Sequence, residues 1–350
     1  MSTPLVTINL VVLNGKKYVR HCLKAVQEQT YQNLEVNVFD NGSTDGTKEI
    51  IQNWKLEIGN WKLINFIESK INLGTWPGQE KAMESSRGKY IVALSVDVLM
   101  EPTAIEKAVV VLEKDESIGA LEAKILQYTI EAKPQFEEGE IVKTNLIDTI
   151  GFQIFRSRRI TNLGHGEEDR GQYNQEKEIF AVEGAAPVLR KSALEEMRVL
   201  GEIADREMFW YGDDLDLAWR MRLFGWKQVY SPEVVMYHDR STTKGVSRGW
   251  KDYLFRVGDR KKIPTLKKRL DWRNKRLARI KNDHWQNALK DLWPIAWREL
   301  RELGYIALFE PAVLLEIPKL IRLLPRTLKK RKVIMARAKV GPKEMSKWFL

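Results

Sequence analysis

Only one cysteine, Cys22, occurs in the 350 residues, so no intramolecular disulfide can form and a reducing compartment is expected. Long apolar runs are missing as well. The longest uncharged apolar stretch near the C-terminus, Leu303 to Phe309, is far short of the roughly 18 to 20 residues a helix needs to span a bilayer. Met1-Ser-Thr-Pro4 leads straight into a strand pattern without the charged and then apolar leader of a secretory signal. Neither a Gly-x-Gly-x-x-Gly nor a Gly-Lys-Ser/Thr loop follows the first strands, which excludes the dinucleotide-binding and P-loop types of phosphate site. No repeat of fixed period and no low-complexity tract occurs. What is present, 43% hydrophobic and 30% charged residues, suits a globular chain with one sizeable α/β domain and a smaller appendage.

Carboxylates gather at three element ends. Val36-Asn-Val-Phe-Asp-Asn-Gly-Ser-Thr-Asp-Gly-Thr47 reads as a buried strand, a tight turn and a helix beginning near Thr47. The carboxyl end of a strand is where α/β proteins bind ligands, and Asp40 at that tip can accept a hydrogen bond from a base or ribose. Asn41, Gly42 and Gly46 permit the tight backbone, and the same composition also serves a simple turn. Tyr90-Ile-Val-Ala-Leu-Ser-Val-Asp97 is an apolar run closed by a carboxylate, followed by Glu101-Pro102 and a helix that Thr103 and Glu106 are expected to open as a capping box. Asp97 suits an oxygen ligand for Mg²⁺ or Mn²⁺, ions that keep positions open for phosphates, although read alone a helix cap is the favoured role.

The third site is Tyr211-Gly-Asp-Asp-Leu-Asp-Leu-Ala-Trp-Arg-Met-Arg-Leu-Phe-Gly-Trp226. It places Asp213 and Asp214 where free N–H groups and the helix dipole stabilise negative charge. Two acids that merely cap an amphipathic helix are the alternative. Asp216 and Arg220 are spaced to pair along that helix, and pairing is the expected role of Arg220 and Arg222 over contact with product phosphate. Val234-Val-Met-Tyr237 ends on His238, which serves equally as a metal ligand or as a core or rim histidine.

In this order and at these spacings the three motifs resemble family 2 glycosyltransferases of the A-type nucleotide-sugar fold, nearest the bacterial rhamnosyltransferase-like branch. The resemblance covers about the first 243 residues. Thr7 to Gly15, the Cys22-Leu23 to Gln29-Thr30-Tyr31 helix end, Asn72-Leu-Gly74, Asp148 to Gly151, Gly164 to Tyr173 and Val182-Glu-Gly-Ala-Ala-Pro-Val-Leu-Arg-Lys191 extend it. It implies an α/β chain with a single mixed, mostly parallel sheet flanked by helices. On that fold Asp40 would contact the nucleotide base, Leu13, Asn14 and Gly15 would form the opposite wall, and Asn41, Asn72 and Gly74 would complete the donor site. Asp97 corresponds to the last acid of an Asp-x-Asp metal motif whose first acid is replaced here by Ser95, and His238 to a histidine that reaches the metal in some relatives. Asp214 corresponds to the second acid of the pair that supplies the general base, with Asp213 and Asp216 left to the helix cap and its surroundings.

The implied chemistry is inverting transfer of a sugar, with rhamnose favoured, from a nucleoside diphosphate to a glycan or lipid-linked acceptor, aided by Mg²⁺ or Mn²⁺. A non-catalytic scaffold of the same fold is the second function class, supported by Ser95. A nucleotidyltransferase is disfavoured because Leu13-Asn-Gly-Lys16 is not a Gly-rich triphosphate loop. The loop from Gln127 to Tyr173 is expected to shape the sugar end.

Charge divides the chain. Residues 244–350 carry 29 Lys or Arg against 10 Asp or Glu, a net +19, which leaves the first 243 residues at −8 within the overall +11. The sequence thus divides into a transferase domain, 1–243, and a basic helical C-terminal region, 244–350, interrupted by Pro264, Pro294, Pro311, Pro318 and Pro325. Trp293, Trp297, Leu300, Gly304 and Leu308 fall near one helical face. Basic residues beside Trp and Leu on short amphipathic helices describe an element lying in an anionic membrane interface, which would place the protein in the cytoplasm on the inner face of the cell membrane. The alternative is that the tail packs on the catalytic domain or on a second subunit. Nucleic acid is disfavoured, because the tail carries no RNA- or DNA-binding module.

Overall fold

A computed structural model describes residues 3–57, 63–133, 136–239, 260–261 and 263–350. The apolar runs form its parallel centre: β1 (Val6–Val12), α1 (Val19–Gln27), β2 (Leu34–Asp40), α2 (Thr47–Glu57), β3 (Leu63–Glu68), α3 (Thr75–Met83) and β4 (Tyr90–Ser95). β1 lies between β2 and β4, with β3 outside β2, all parallel. These strands are continuous apolar runs because helices cover both faces of a parallel sheet. The chain goes outward through β2 and β3 and then crosses back to β4, so the strand order reverses beside β1, where α/β sheets open a crevice.

The chain continues through β5 (Val98–Met100), α4 (Ala104–Lys114), β6 (Ile118–Lys133), β7 (Phe136–Thr149), β8 (Phe152–Ile154), β9 (Ile160–Asn162), β10 (Lys177–Glu178) and β11 (Val188–Arg190). Next come α5 (Lys191–Glu196), α6 (Asp213–Leu223) and β12 (Lys227–His238). Among the described residues ten strands form one mixed sheet, in the order β10-β12-β6-β11-β4-β1-β2-β3 with β5 on β12 and β7 on β6. β8 and β9 make a separate ribbon. β12 runs parallel to β6, whereas β5, β7, β10 and β11 all pair antiparallel.

Two local expectations fail. Thr103 precedes α4 without a side-chain capping bond, and Glu106 instead accepts the Thr30 hydroxyl at 3.0 Å, tying α4 to the end of α1. Much of the expected loop from Gln127 to Tyr173 is the β6–β7 hairpin, in which Ile130 pairs with Ile141 and both pack beside Tyr128 and Tyr237.

The boundary expected at 243/244 lies outside the described residues. Beyond it stand α7 (Thr265–Asn282), α8 (Trp285–Lys290), α9 (Leu292–Phe309), a 3-10 turn (Pro311–Glu316), α10 (Ile317–Arg337) and α11 (Pro342–Ser346). Much of this tail packs on the sheet domain. Leu277, Ala278, Ile334, Met345 and Phe349 share a buried cluster with Leu217 and Trp219 of α6. At the C-terminus Leu350 donates its N–H to the Ile154 carbonyl at 3.0 Å, and its own carbonyl accepts the Arg156 N–H at 2.8 Å. Pro294 falls in the first turn of α9, where backbone N–H groups have no intrahelical partner anyway. Pro325 does not end a helix: α10 runs through it, anchored further on by buried Thr327, Lys330 and Ile334. Among the described residues no helix is long and apolar enough to cross a membrane.

Candidate active site

The strand ends build one wall. Asp40, in register with Val12, is fully buried, and both its oxygens accept the Ser43 N–H at 3.2 Å while Lys48 Nζ lies 3.6 Å from Oδ2. Asn14, left-handed at φ 50°, accepts the Thr44 N–H at 2.8 Å and donates its own N–H to Ser43 Oγ at 2.9 Å. The turns after β1 and β2 are thereby laced together. A Cβ on Gly15 would lie 2.8 Å from Val12 Cγ1, so no side chain fits there, and Leu13 stands exposed beside it. Asn41 donates to Asn72 Oδ1 at 3.1 Å and to the Gly74 carbonyl at 3.0 Å, and accepts the Leu73 N–H at 2.8 Å. These amides shape the loop into α3. Gly74, at φ 97°, opens that helix, and a Cβ there would meet the Phe209 carbonyl at 2.0 Å. All seven expected donor residues therefore lie at or after the carboxyl ends of β1, β2 and β3.

Asp97 lies in the turn between β4 and β5, and β12 pairs His238 opposite Val98, which brings the two expected metal ligands together. His238 Nε2 is 3.2 Å from Asp97 Oδ2, and Nδ1 is 2.9 Å from Oδ2 of the fully buried Asp148. Burial alone would lower the pKa of this imidazole; the Asp97 charge and the bond to Asp148 overcome that and raise it to about 10. Without a cation both ring nitrogens therefore carry protons; a divalent ion between Asp97 and Nε2 would have to displace the Nε2 proton, and the Asp148 bond at Nδ1, the usual support of a metal-ligating histidine, would then hold the ligating tautomer. Among the described residues no group of three or more His, Cys, Asp or Glu side chains converges as ligands. Asp97 and His238 could thus fill two positions, leaving the others to phosphate oxygens and water, as Mg²⁺ prefers.

The acid pair starts α6. Gly212, left-handed at φ 77°, caps the helix, and Asp213 and Asp214 are its first two residues. Asp213 is buried and accepts the Trp76 N–H at 3.4 Å. Burial and the neighbouring Asp214 charge push its carboxyl up to about 8, so Asp213 is the protonated member of the pair at neutral pH. Asp214 is half-buried, accepts the Leu215 N–H at 2.8 Å and lines a shallow pocket with Trp76, Glu183 and Gly184. A Cβ on Gly184 would sit 2.8 Å from Asp214 Cβ, so the glycine makes room for the acid. The next residue, Ala185, accepts the Ser95 N–H at 2.9 Å, which ties this contact to the end of β4, two residues before Asp97.

Arg220 pairs along α6 as expected, whereas Arg222 pairs with Glu178 of β10 and not with the acids of its own helix. Arg220 lies 3.4 Å from Asp216 and donates to the Met197 and Ile203 carbonyls at 2.8 Å. Arg222 holds Glu178 at 2.6 Å and the Phe180 carbonyl at 2.8 Å.

Several supporting residues escaped the sequence. Asn274 of α7 places its amide nitrogen 2.6, 2.9 and 2.7 Å from the carbonyls of Met208, Trp210 and Tyr211, the segment leading into the acid pair. Lys281 lies 2.9 Å from Asp216 and also pairs with Asp205, which Lys330 reaches at 2.6 Å. Asp148 and Gly184 stood inside segments that carried the resemblance, but no chemistry distinguished them there. Asn274 and Lys281 gave no signal, since they sit among charges typical of a solvated helix.

Residues 7–197 match the profile of glycosyl transferase family 2. The chain belongs to that family. An uncharacterized glycosyltransferase of Haemophilus influenzae is 31% identical to this family 2 chain over 150 residues, covering 41% of this chain and 45% of that protein. The chondroitin synthase of Escherichia coli is 35% identical over 118 residues, 34% of this chain and 17% of the synthase. The match thus spans less than half the length of either relative. Among solved structures, a mannosyltransferase from Pyrobaculum calidifontis in complex with GDP-Man and Mn²⁺ superposes with a TM-score of 0.52 at 18% identity, over 98% of this chain and 88% of that one. S. aureus TarS 1-349 in complex with UDP-GlcNAc gives 0.53 at 13% identity, over 95% and 84%. The likeness at these identities is one of fold, the A-type nucleotide-sugar fold with its C-terminal helical extension.

Proposed function

We propose that this family 2 chain is an inverting glycosyltransferase that moves a sugar from a nucleoside diphosphate to a hydroxyl of a growing cell-surface glycan or lipid-linked acceptor. The placement of Asp214 carries the reading: a half-buried carboxylate at a helix N-terminus, seated on Gly184 beside a buried, neutral Asp213. The nucleoside lies on the wall of Leu13, Asn14, Gly15 and Asp40, below the loop that Asn41, Asn72 and Gly74 shape. Asp97 and His238 would hold Mg²⁺ or Mn²⁺, which neutralises charge on the diphosphate. The acceptor oxygen bonds to the anomeric carbon as the bond from that carbon to the diphosphate oxygen breaks. The hydroxyl proton passes to Asp214, and the nucleoside diphosphate leaves with the bonding electrons. Attack without an enzyme nucleophile inverts the anomeric centre.

The nucleotide sugars bound by the fold neighbours support the donor class, while rhamnose rests on the sequence resemblance. The surplus of basic residues after 243 supports attachment to the anionic inner face of a cell membrane. A thermal-shift screen of nucleoside diphosphates and their sugars, with and without Mn²⁺, tests the reading. A ligand that binds only the native state raises the melting temperature, and no shift with any nucleotide would discard the donor assignment.

A further inference from the structure

Helix α9 turns its apolar side outward. With about 3.6 residues per turn, Leu292, Trp293, Trp297, Leu300, Leu303 and Leu308 fall within an arc of roughly 160° that holds no charged residue. All six are exposed, Trp293 at 76% and Leu308 at 77%, and the Trp293 and Trp297 rings stack with centroids 6.3 Å apart. The opposite side of the helix meets the protein through buried Ile295 and Ile306 and through two acids. Glu299 pairs with Arg279 of α7 at 2.9 Å, and Glu302 lies 3.4 Å from Arg276 of the same helix. A helix resting on a soluble domain buries its apolar stripe, whereas this one is fixed by ion pairs and presents that stripe to the surroundings.

The charges around the arc select what covers it. Lys290, just before α9, and Arg301 at the rim of the arc are exposed, and among the described residues neither forms an ion pair. A second copy would bring one net +19 tail against another, which is repulsive. A bilayer with anionic headgroups satisfies both features, since hydrocarbon takes the leucines, the headgroup boundary takes the indoles, and the phosphates take the cations.

We propose that the α9 arc is the membrane-insertion surface of this protein, the helix lying in the plane of an anionic bilayer with Trp293 and Trp297 at the headgroup boundary. This deepens the membrane attachment proposed above by assigning it to one helix face. It joins two signals, apolar insertion and basic attraction, where neither suffices alone.

Sedimentation of the full chain with vesicles of phosphatidylcholine and phosphatidylglycerol is the test, with tryptophan emission as the second readout. The wild-type chain should sediment and its emission should shift to the blue. Trp293→Glu with Trp297→Glu should weaken vesicle binding at least about tenfold without altering circular dichroism or nucleotide binding. Lys290→Glu with Arg301→Glu should weaken binding mainly at low salt and flatten its salt dependence. Unchanged vesicle binding by the tryptophan variant would overturn the assignment, as would a full chain that ignores anionic vesicles at low salt. So would a dimer that the tryptophan substitutions split into monomers, since a second copy would then cover the arc. Nucleotide binding is read separately, so failure of the donor assignment leaves this test intact.

Discussion

Asn274 Nδ2 lies 2.7 Å from the carbonyl of Tyr211, two residues before Asp213 and 63 residues away along the chain. The same amide reaches Met208 and Trp210, so a C-terminal helix clamps a segment in which Phe209 and Tyr211 both hold left-handed φ angles of 61°. Non-glycine residues in that region store strain that surrounding bonds must hold. Asn274 is thereby a positioning residue for the proposed base.

Asn274→Ala should release the segment and let the start of α6 move. A displacement on the order of 1 Å at a reacting group costs about 10²-fold. The variant is expected to lose at least about tenfold in kcat with little change in the KM for donor. Steady-state kinetics check this, and a purely structural Asn274 would lower the melting temperature without moving kcat per folded molecule.

Asp213 gives stability a pH dependence of known sign. Its folded carboxyl is raised from 3.8 to about 8, so its favourable contribution is complete below about pH 4 and is lost as pH rises through 8. Asp213→Asn is permanently neutral there. Its melting temperature should fall less than that of the wild type between pH 5 and pH 9, and parallel curves would show that Asp213 is not held neutral.

Removing residues from 244 onward should produce an insoluble or unfolded chain. It strips Leu277, Ala278, Ile334 and Phe349 from a shared core, uncovering the apolar side chains of Leu217 and Trp219, and removes Lys281 and Lys330 from Asp205 and Asp216. Circular dichroism and gel filtration of the truncated chain provide the check, and a soluble, folded product that binds nucleotide would show that the tail is dispensable for the fold.

What the sequence made legible follows from how far each signal reaches. Asp40 and Asp97 could be read as acids at strand ends because an apolar run closed by an acid and turn residues is a local pattern, and Asp214 as an acid at a helix start because Gly-Asp-Asp before helical spacing is another. His238 and Asp97 meet through the β5–β12 register, which no local pattern encodes. The β6–β7 hairpin was read as a loop although Tyr128, Ile130 and Ala132 alternate with Thr129, Glu131 and Lys133, because the Glu137-Glu-Gly-Glu140 run beside it has the composition of a loop. Asn274 and Lys281 were hidden for a different reason: basic helices read as solvated surfaces, and only tertiary packing turned that face inward. In α9 the helical spacing of Trp293, Trp297 and Leu308 was plain, but which way the face pointed was not.

Turnover and donor affinity of Asp214→Asn, measured side by side, test the central claim most directly. The amide keeps the shape of the carboxylate and its place on Gly184 but cannot take the acceptor proton. Donor affinity is expected to remain within about twofold, while transfer falls at least about 10²-fold, the lower end of what a positioned base contributes. Wild-type turnover in this variant would contradict the assignment of Asp214 as the base.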